Sequence, residues 1–208
     1  VRSVRMLAAR EHLQRLARDN PAQARASLRA YLRHYPLETS QTRQLRESGV
    51  TNEDLNRLRR ARRRLFDLPP GLNDMDWVAE FRRQFQQALD EAALERVEAY
   101  SRRASLSALQ SPDPLLDRMV FLYSAAAMIS DLARIYNLRT AFGSTPVVFA
   151  QTLIRACLDA GRQEAAKDDA PRGPVAGSAS RTTQDELSGL LIRRLGLQAM
   201  RLLQPTHL

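Results

Sequence analysis

Residues 112–161 read PDPLLDRMVFLYSAAAMISDLARIYNLRTAFGSTPVVFAQTLIRACLDAG, the most apolar part of the chain. The stretch reads as two helices and a turn. Asp113 can cap the first helix, and Pro114 suits its first position, where a missing N–H costs nothing. Across 115–129 apolar residues fall on nearly every face, and Asp117, Ser124 and Asp131, seven apart, line up as a thin polar seam. A helix apolar almost all round is buried, in a protein core or in a bilayer. A membrane span needs roughly 20 uninterrupted apolar residues, and Asp117, Arg118, Asp131 and Arg134 leave less. The pattern predicts a buried core helix.

Residues 137–143 form the turn, and Thr145 with Pro146 opens the second helix. Gln151, Arg155, Asp159 and Gln163 recur every four residues and share one face. Val147, Val148, Leu153, Ile154, Cys157 and Leu158 remain for the core. The two helices are expected to pack together.

Working outward, the 208 residues are 44% hydrophobic and only 6% aromatic. The core is therefore expected to be built from Leu, Ala, Val and Ile. No segment alternates as a strand would, so the fold class is all-α, a multi-helix bundle around the central hairpin. The formal charge is +9, and Lys167 is the only lysine. An arginine-rich surface attracts polyanions: nucleic acid, anionic lipid or an acidic protein. The lone Cys157 rules out an internal disulfide and reads as a buried, inert thiol. No signal peptide or transmembrane segment is legible.

From the start, residues 3–18 read as a basic amphipathic helix carrying Val4, Leu7, Ala8, Leu13 and Leu16. Asn20 and Pro21 open a helix to about His34 that buries Ala24, Leu28, Tyr31 and Leu32, and Pro36 stops it. This stretch looks like half of a tetratricopeptide repeat, but no second copy follows, so a plain helical hairpin is expected. Thr51 starts the next helix, with Asp54 as capping-box partner. Pro69, Pro70, Gly71 and Asn73 break the chain and divide it into an N-terminal basic subdomain, 1–70, and a C-terminal helical domain, 71–208. Residues 76–103 read as one long helix with an apolar stripe of Trp77, Val78, Phe81, Phe85, Ala88, Leu89, Ala92 and Val97.

Residues 168–181 are rich in Pro, Gly, Ala and Ser and are expected to be mobile. Thr183 and Glu186 form a capping box for a last helix carrying Leu187, Leu190, Leu191, Leu195, Leu197, Met200 and Leu203. Gly189 and Gly196 lie on one face of it, seven residues apart. Glycine inside a helix costs about 1 kcal/mol, which points to close helix packing there.

The densest charge is RLRRARRRLF, residues 57–66. Leu55, Leu58, Ala61 and Leu65 form a narrow apolar stripe, and Arg57, Arg59, Arg60, Arg62, Arg63 and Arg64 cover the rest. Three readings stand: a solvated face paired with acids such as Glu80, Glu91 and Glu95, a contact with anionic headgroups, or a nucleic-acid stripe. The last is disfavoured, because no aromatic residues are interleaved for base stacking.

No phosphate-binding loop or dinucleotide fingerprint occurs. His12, His34 and His207 lack the partners of a metal site or a nucleophile–base pair. Asp117 and Asp131 lie about 21 Å apart along one helix, too far to act as paired carboxylates. Asp131 is expected to form a structural ion pair with Arg134. The chain is read as non-enzymatic, with no cofactor and no metal.

Two stretches resemble the YcjF-like family of bacterial inner-membrane proteins. One is MISDLARIYNLRTAFGSTPVVFAQTLIRACLDAG, 128–161, and the other is LSGLLIRRLGLQAMRLLQP, 187–205. The family's Gly-Gly-Arg-Pro-Gly turn is replaced here by residues 137–143, and its closing Cys-Arg-Pro by Leu203, Gln204 and Pro205. The resemblance implies two membrane-spanning helices ahead of this region in the full protein, and a domain on the cytoplasmic face of the inner membrane. It also implies a P-loop GTPase-like protein partner. The expected function is a cytosolic adaptor or scaffold, with a basic helical nucleic-acid-binding module as the alternative. Association with a second copy of the chain is left open.

Overall fold

The structure, a computed structural model, describes residues 12–13, 15–16, 19–38, 41–108, 114–138 and 181–206, with the backbone alone at 107–108, 114–119 and 181–188. Among the described residues every regular element is a helix, and the protein is all-α. The second hairpin helix with Cys157, residues 168–180 and His207 lie outside what is described, as do the side chains of Asp117, Thr183 and Glu186; the last helix already begins at Arg181, ahead of the Thr183 cap expected from sequence.

Helix α1 (Pro21–His34) is capped by Asn20, whose side chain accepts the Gln23 N–H. It buries Ala24, Leu28 and Leu32. A short α2 (Arg43–Glu47) ends at Gly49, whose φ of 91° is the left-handed turn that favours glycine. Helix α3 (Asn52–Asp67) opens with a complete capping box: Thr51 Oγ1 accepts the Asp54 N–H, and the Asp54 carboxylate accepts the Thr51 N–H. Its stripe of Leu55, Leu58, Ala61 and Leu65 is buried as its spacing requires.

Next comes a continuous rod: α4 (Asp74–Phe81), a π-helical turn (Arg82–Gln86) and α5 (Gln87–Ala108). The long helix expected from sequence is present, and the π turn within it had no sequence signal. A π turn shifts the phase of the helix, so the consecutive Phe85 and Gln86 both point inward. Trp77, Phe81 and Phe85 stack at centroid distances of 6.1 and 5.7 Å. Tyr31 of α1 and Tyr35, just past its end, meet Phe85 edge-on at 6.3 and 5.2 Å.

Helix α6 (Pro114–Ile135) buries Ala125, Met128, Ile129, Leu132, Ala133 and Ile135. It is not buried all round, as the sequence suggested: Val120 and Leu122 are exposed, and Tyr123 is 78% exposed. An apolar helix is covered only where neighbours reach it, and the described neighbours cover its C-terminal half. Asn137 takes the left-handed conformation at φ 51°, and Leu138 N–H closes the end on the Ala133 carbonyl. The remaining end carbonyls are satisfied from the C-terminal end of α1 and its cap: Tyr35 Oη donates to Ile135 O at 2.7 Å and Tyr31 Oη to Tyr136 O at 3.2 Å.

Helix α7 (Arg181–Leu203) makes with α5 the most extensive helix pairing among the described residues. Its buried face runs through Gly189, Ile192, Gly196, Ala199 and Leu203. Leu190 and Leu191, assigned to the apolar stripe from sequence, are exposed instead. The glycines decide this, because the side that lets backbones approach is the side that packs. One core cluster runs from Ala24 to Leu203 and includes side chains on both sides of residue 70. No described helix is long and apolar enough to cross a membrane.

Candidate anion-binding groove

On α3 the positions 57, 60, 61 and 64 share one face, since helical neighbours recur at three and four residues. That face meets the rod around its π turn. Ala61 and Ala88, both buried, form the floor, and their small side chains leave a groove of about 390 Å³. Arg57, Arg60 and Arg64 line it from α3, and Arg83, Gln84 and Gln87 line it from the rod.

Two carboxylates flank it. Glu91 bridges Arg57 at 2.7 Å and accepts from Gln87 Nε2 at 3.1 Å. Glu80 accepts from Arg83 at 2.8 and 2.9 Å and from Gln84 Nε2. The Arg83 and Gln84 hydrogen bonds, in that order, hold the Glu80 carboxyl below its ordinary range. Arg60 and Arg64 make no ion pair with any described residue. The four guanidiniums and two carboxylates leave a formal excess of two positive charges around the cavity. Arginine stays protonated and offers a planar fork of donors, so this arrangement suits binding an anion and not moving a proton.

The six arginines read from sequence separate into distinct groups. Arg57, Arg60 and Arg64 come together in the groove. Arg59 and Arg62 turn to the other side of α3, where they fasten the α1–α2 connection. Arg59 Nε donates to Leu37 O at 3.0 Å, while Arg62 bridges Glu38 at 3.0 Å and reaches Tyr35 O. Arg63 is exposed and outside the groove. Glu91 does pair with α3, while Glu80 pairs with Arg83 instead. Arg83, Gln84 and Gln87 were not found from sequence, because the π turn that aims them leaves no mark in composition or period.

The other polar positions are structural in their surroundings. Asp131 lies 3.6 Å from Arg134, as an ion pair, but its short contacts are Arg96 at 2.6 Å and Tyr100 Oη at 2.9 Å. A Cβ on Gly189 would strike Ser105 Oγ, and one on Gly196 would lie 2.6 Å from both Val97 methyls. His34 Nδ1 is engaged with its own helix at Ala30 O, 2.7 Å away. The Asp90 carboxylate accepts from Tyr136 Oη at 2.5 Å, and burial pushes Asp90 above its ordinary range. Among the described residues no cluster of three or more His, Cys, Asp or Glu could hold a metal.

Residues 72–207 match a family model described as a domain of unknown function, DUF697. No curated protein and no solved structure matches.

Proposed function

The chain belongs to the DUF697 family, the match covering more than half its length, and from that premise we propose that it is a non-enzymatic adaptor or scaffold domain. Its place is the cytoplasmic face of a bacterial inner membrane, in a YcjF-like protein whose membrane-spanning helices precede it. The arginine groove faces anionic headgroups, each basic residue near such a surface contributing ~1 kcal/mol. The exposed apolar side chains Val120, Leu122 and Tyr123 of α6 are offered to a protein partner, with a P-loop GTPase-like protein as its class.

The observation that supports this reading most directly is the groove itself. Its guanidiniums outnumber its carboxylates, and Arg60 and Arg64 have no carboxylate partner among the described residues. The same charges would suit a nucleic-acid backbone, but the lining holds only Arg, Gln and Ala and no ring for a base to stack on.

Co-sedimentation with vesicles tests it. Phosphatidylcholine vesicles carrying phosphatidylglycerol are expected to bind the chain at low salt and release it as salt rises. Equal binding to vesicles without the anionic lipid would remove the membrane part. Pull-down with the full-length membrane protein then identifies the protein partner, and recovery of no nucleotide-binding protein would remove that part.

A further inference from the structure

A diffuse basic face needs no cavity, no matched counter-charges and no small-residue floor, and the groove between α3 and α5 has all three. We infer that it is a discrete site for a phosphate group, held by Arg60 and Arg64 and flanked by Arg57 and Arg83. The inference rests on the basic-face reading above and narrows it to one place and one ligand chemistry.

The charge match comes first. A phosphate monoester carries about −1.5 to −2 at neutral pH, close to the formal excess of two positive charges around the cavity. A single carboxylate would leave half of that excess unmet. Geometry comes second. Each guanidinium presents two parallel N–H groups that fit two phosphate oxygens, and such charge-assisted bonds are about twice as strong as neutral ones. Arg57 and Arg83 are held in place by Glu91 and Glu80, while Arg60 and Arg64 are left for a ligand. Size comes third. About 390 Å³ lies within the range of small-ligand pockets, roughly 300–1,000 Å³, and holds more than a bare phosphate.

A phosphate monoester reaches such a site as a lipid headgroup or as a soluble phosphate ester. Two probes separate the sources: glycerol 3-phosphate, titrated calorimetrically, and vesicles containing phosphatidic acid. The variants are R60Q/R64Q, R63Q as an exposed control outside the groove, and E91Q, which releases Arg57. Saturable binding of at least one probe is expected. It should fall about tenfold or more in R60Q/R64Q and stay within about twofold in R63Q. E91Q is expected to tighten binding, a gain that a damaged fold does not produce. Dependence seen with vesicles assigns a lipid source, and dependence seen with glycerol 3-phosphate alone assigns a soluble one. Probe affinities that depend on Arg63 as much as on Arg60 and Arg64 overturn the site but leave a diffuse membrane face standing. Saturable glycerol 3-phosphate binding without any vesicle binding sinks the membrane reading and keeps the site.

Discussion

Arg96 on α5 grips Asp131 on α6 through two nitrogens, Nη2 at 2.6 Å and Nε at 2.9 Å, both on the same carboxylate oxygen. Tyr100 Oη donates to that oxygen as well, and Asp131 is only 6% exposed. Removing one partner of a buried ion pair leaves the other charge desolvated and costs ~3–5 kcal/mol. Arg96 retains some solvent, and Arg134 stands 3.6 Å away as a second cation. R96M is therefore expected to lower stability by about 2–3 kcal/mol, and R134Q by less than about 1 kcal/mol. Urea denaturation of the two variants checks the order, and an equal loss in both would mean that Arg134 is the principal partner.

Gly196 sits where α5, α6 and α7 meet. A Cβ there would lie 2.6 Å from both Val97 methyls and 3.1 Å from Met128 Sδ. Alanine gains about 1 kcal/mol of helix propensity, but overpacking costs roughly 1–3 kcal/mol. G196A is expected to destabilise by up to about 2 kcal/mol, and V97A to relieve part of that loss. A double-mutant cycle measured by thermal unfolding should give a favourable coupling between the two. Additive losses would show that the helices do not approach at this point.

Gln86 ties down the C-terminal end of the described chain. Its Nε2 donates to Thr206 O at 2.8 Å, and its Oε1 accepts from the Thr206 N–H at 3.2 Å and from the Thr206 hydroxyl. Both residues are buried. Q86A strands buried polar groups at Thr206, each costing about 1–3 kcal/mol. A loss of about 2–4 kcal/mol is expected, with faster amide exchange at Thr206. Unchanged exchange there would show that the segment is held by other contacts.

Asp90 links the fold to pH. Burial raises its carboxyl above the ordinary range, opposed by hydrogen bonds from Tyr136, Gln204 and Gln86. A carboxyl whose value rises on folding holds its proton longer in the folded state. Its contribution is complete below the unfolded value and is lost as pH rises through the folded one. Glu80 is held low by Arg83 and works in the opposite sense, but it cancels when two forms sharing it are compared. Between about pH 7 and about pH 4, wild type should gain stability relative to D90N as pH falls. Parallel denaturation midpoints across that range would remove Asp90 from the pH response.

Much of the helical architecture was legible because local rules wrote it. The Asn20 cap with Pro21 and the Thr51–Asp54 box depend on residues a few positions apart, and the structure contains each of them. The stripes on α3 and on the rod follow from helical period alone. The groove was legible only in half. RLRRARRRLF announced a basic face, but not that Arg59 and Arg62 would turn to the carbonyls of Leu37 and Tyr35. Nor did it announce Arg83, Gln84 and Gln87, because a π turn leaves no periodic trace.

The amino-acid order by itself determined the Asn20 and Thr51 helix starts, the apolar stripe of α3, and that arginine carries the charge, since each is fixed within one or two turns of chain. Tertiary structure alone decided which face of each helix is covered. It seated α7 on its glycines and left Leu190 and Leu191 exposed, gave Asp131 its short contacts to Arg96, and gathered four arginines over the Ala61–Ala88 floor. The reason is distance along the chain: Arg57 meets Glu91, and Arg96 meets Asp131, only once separate helices have packed.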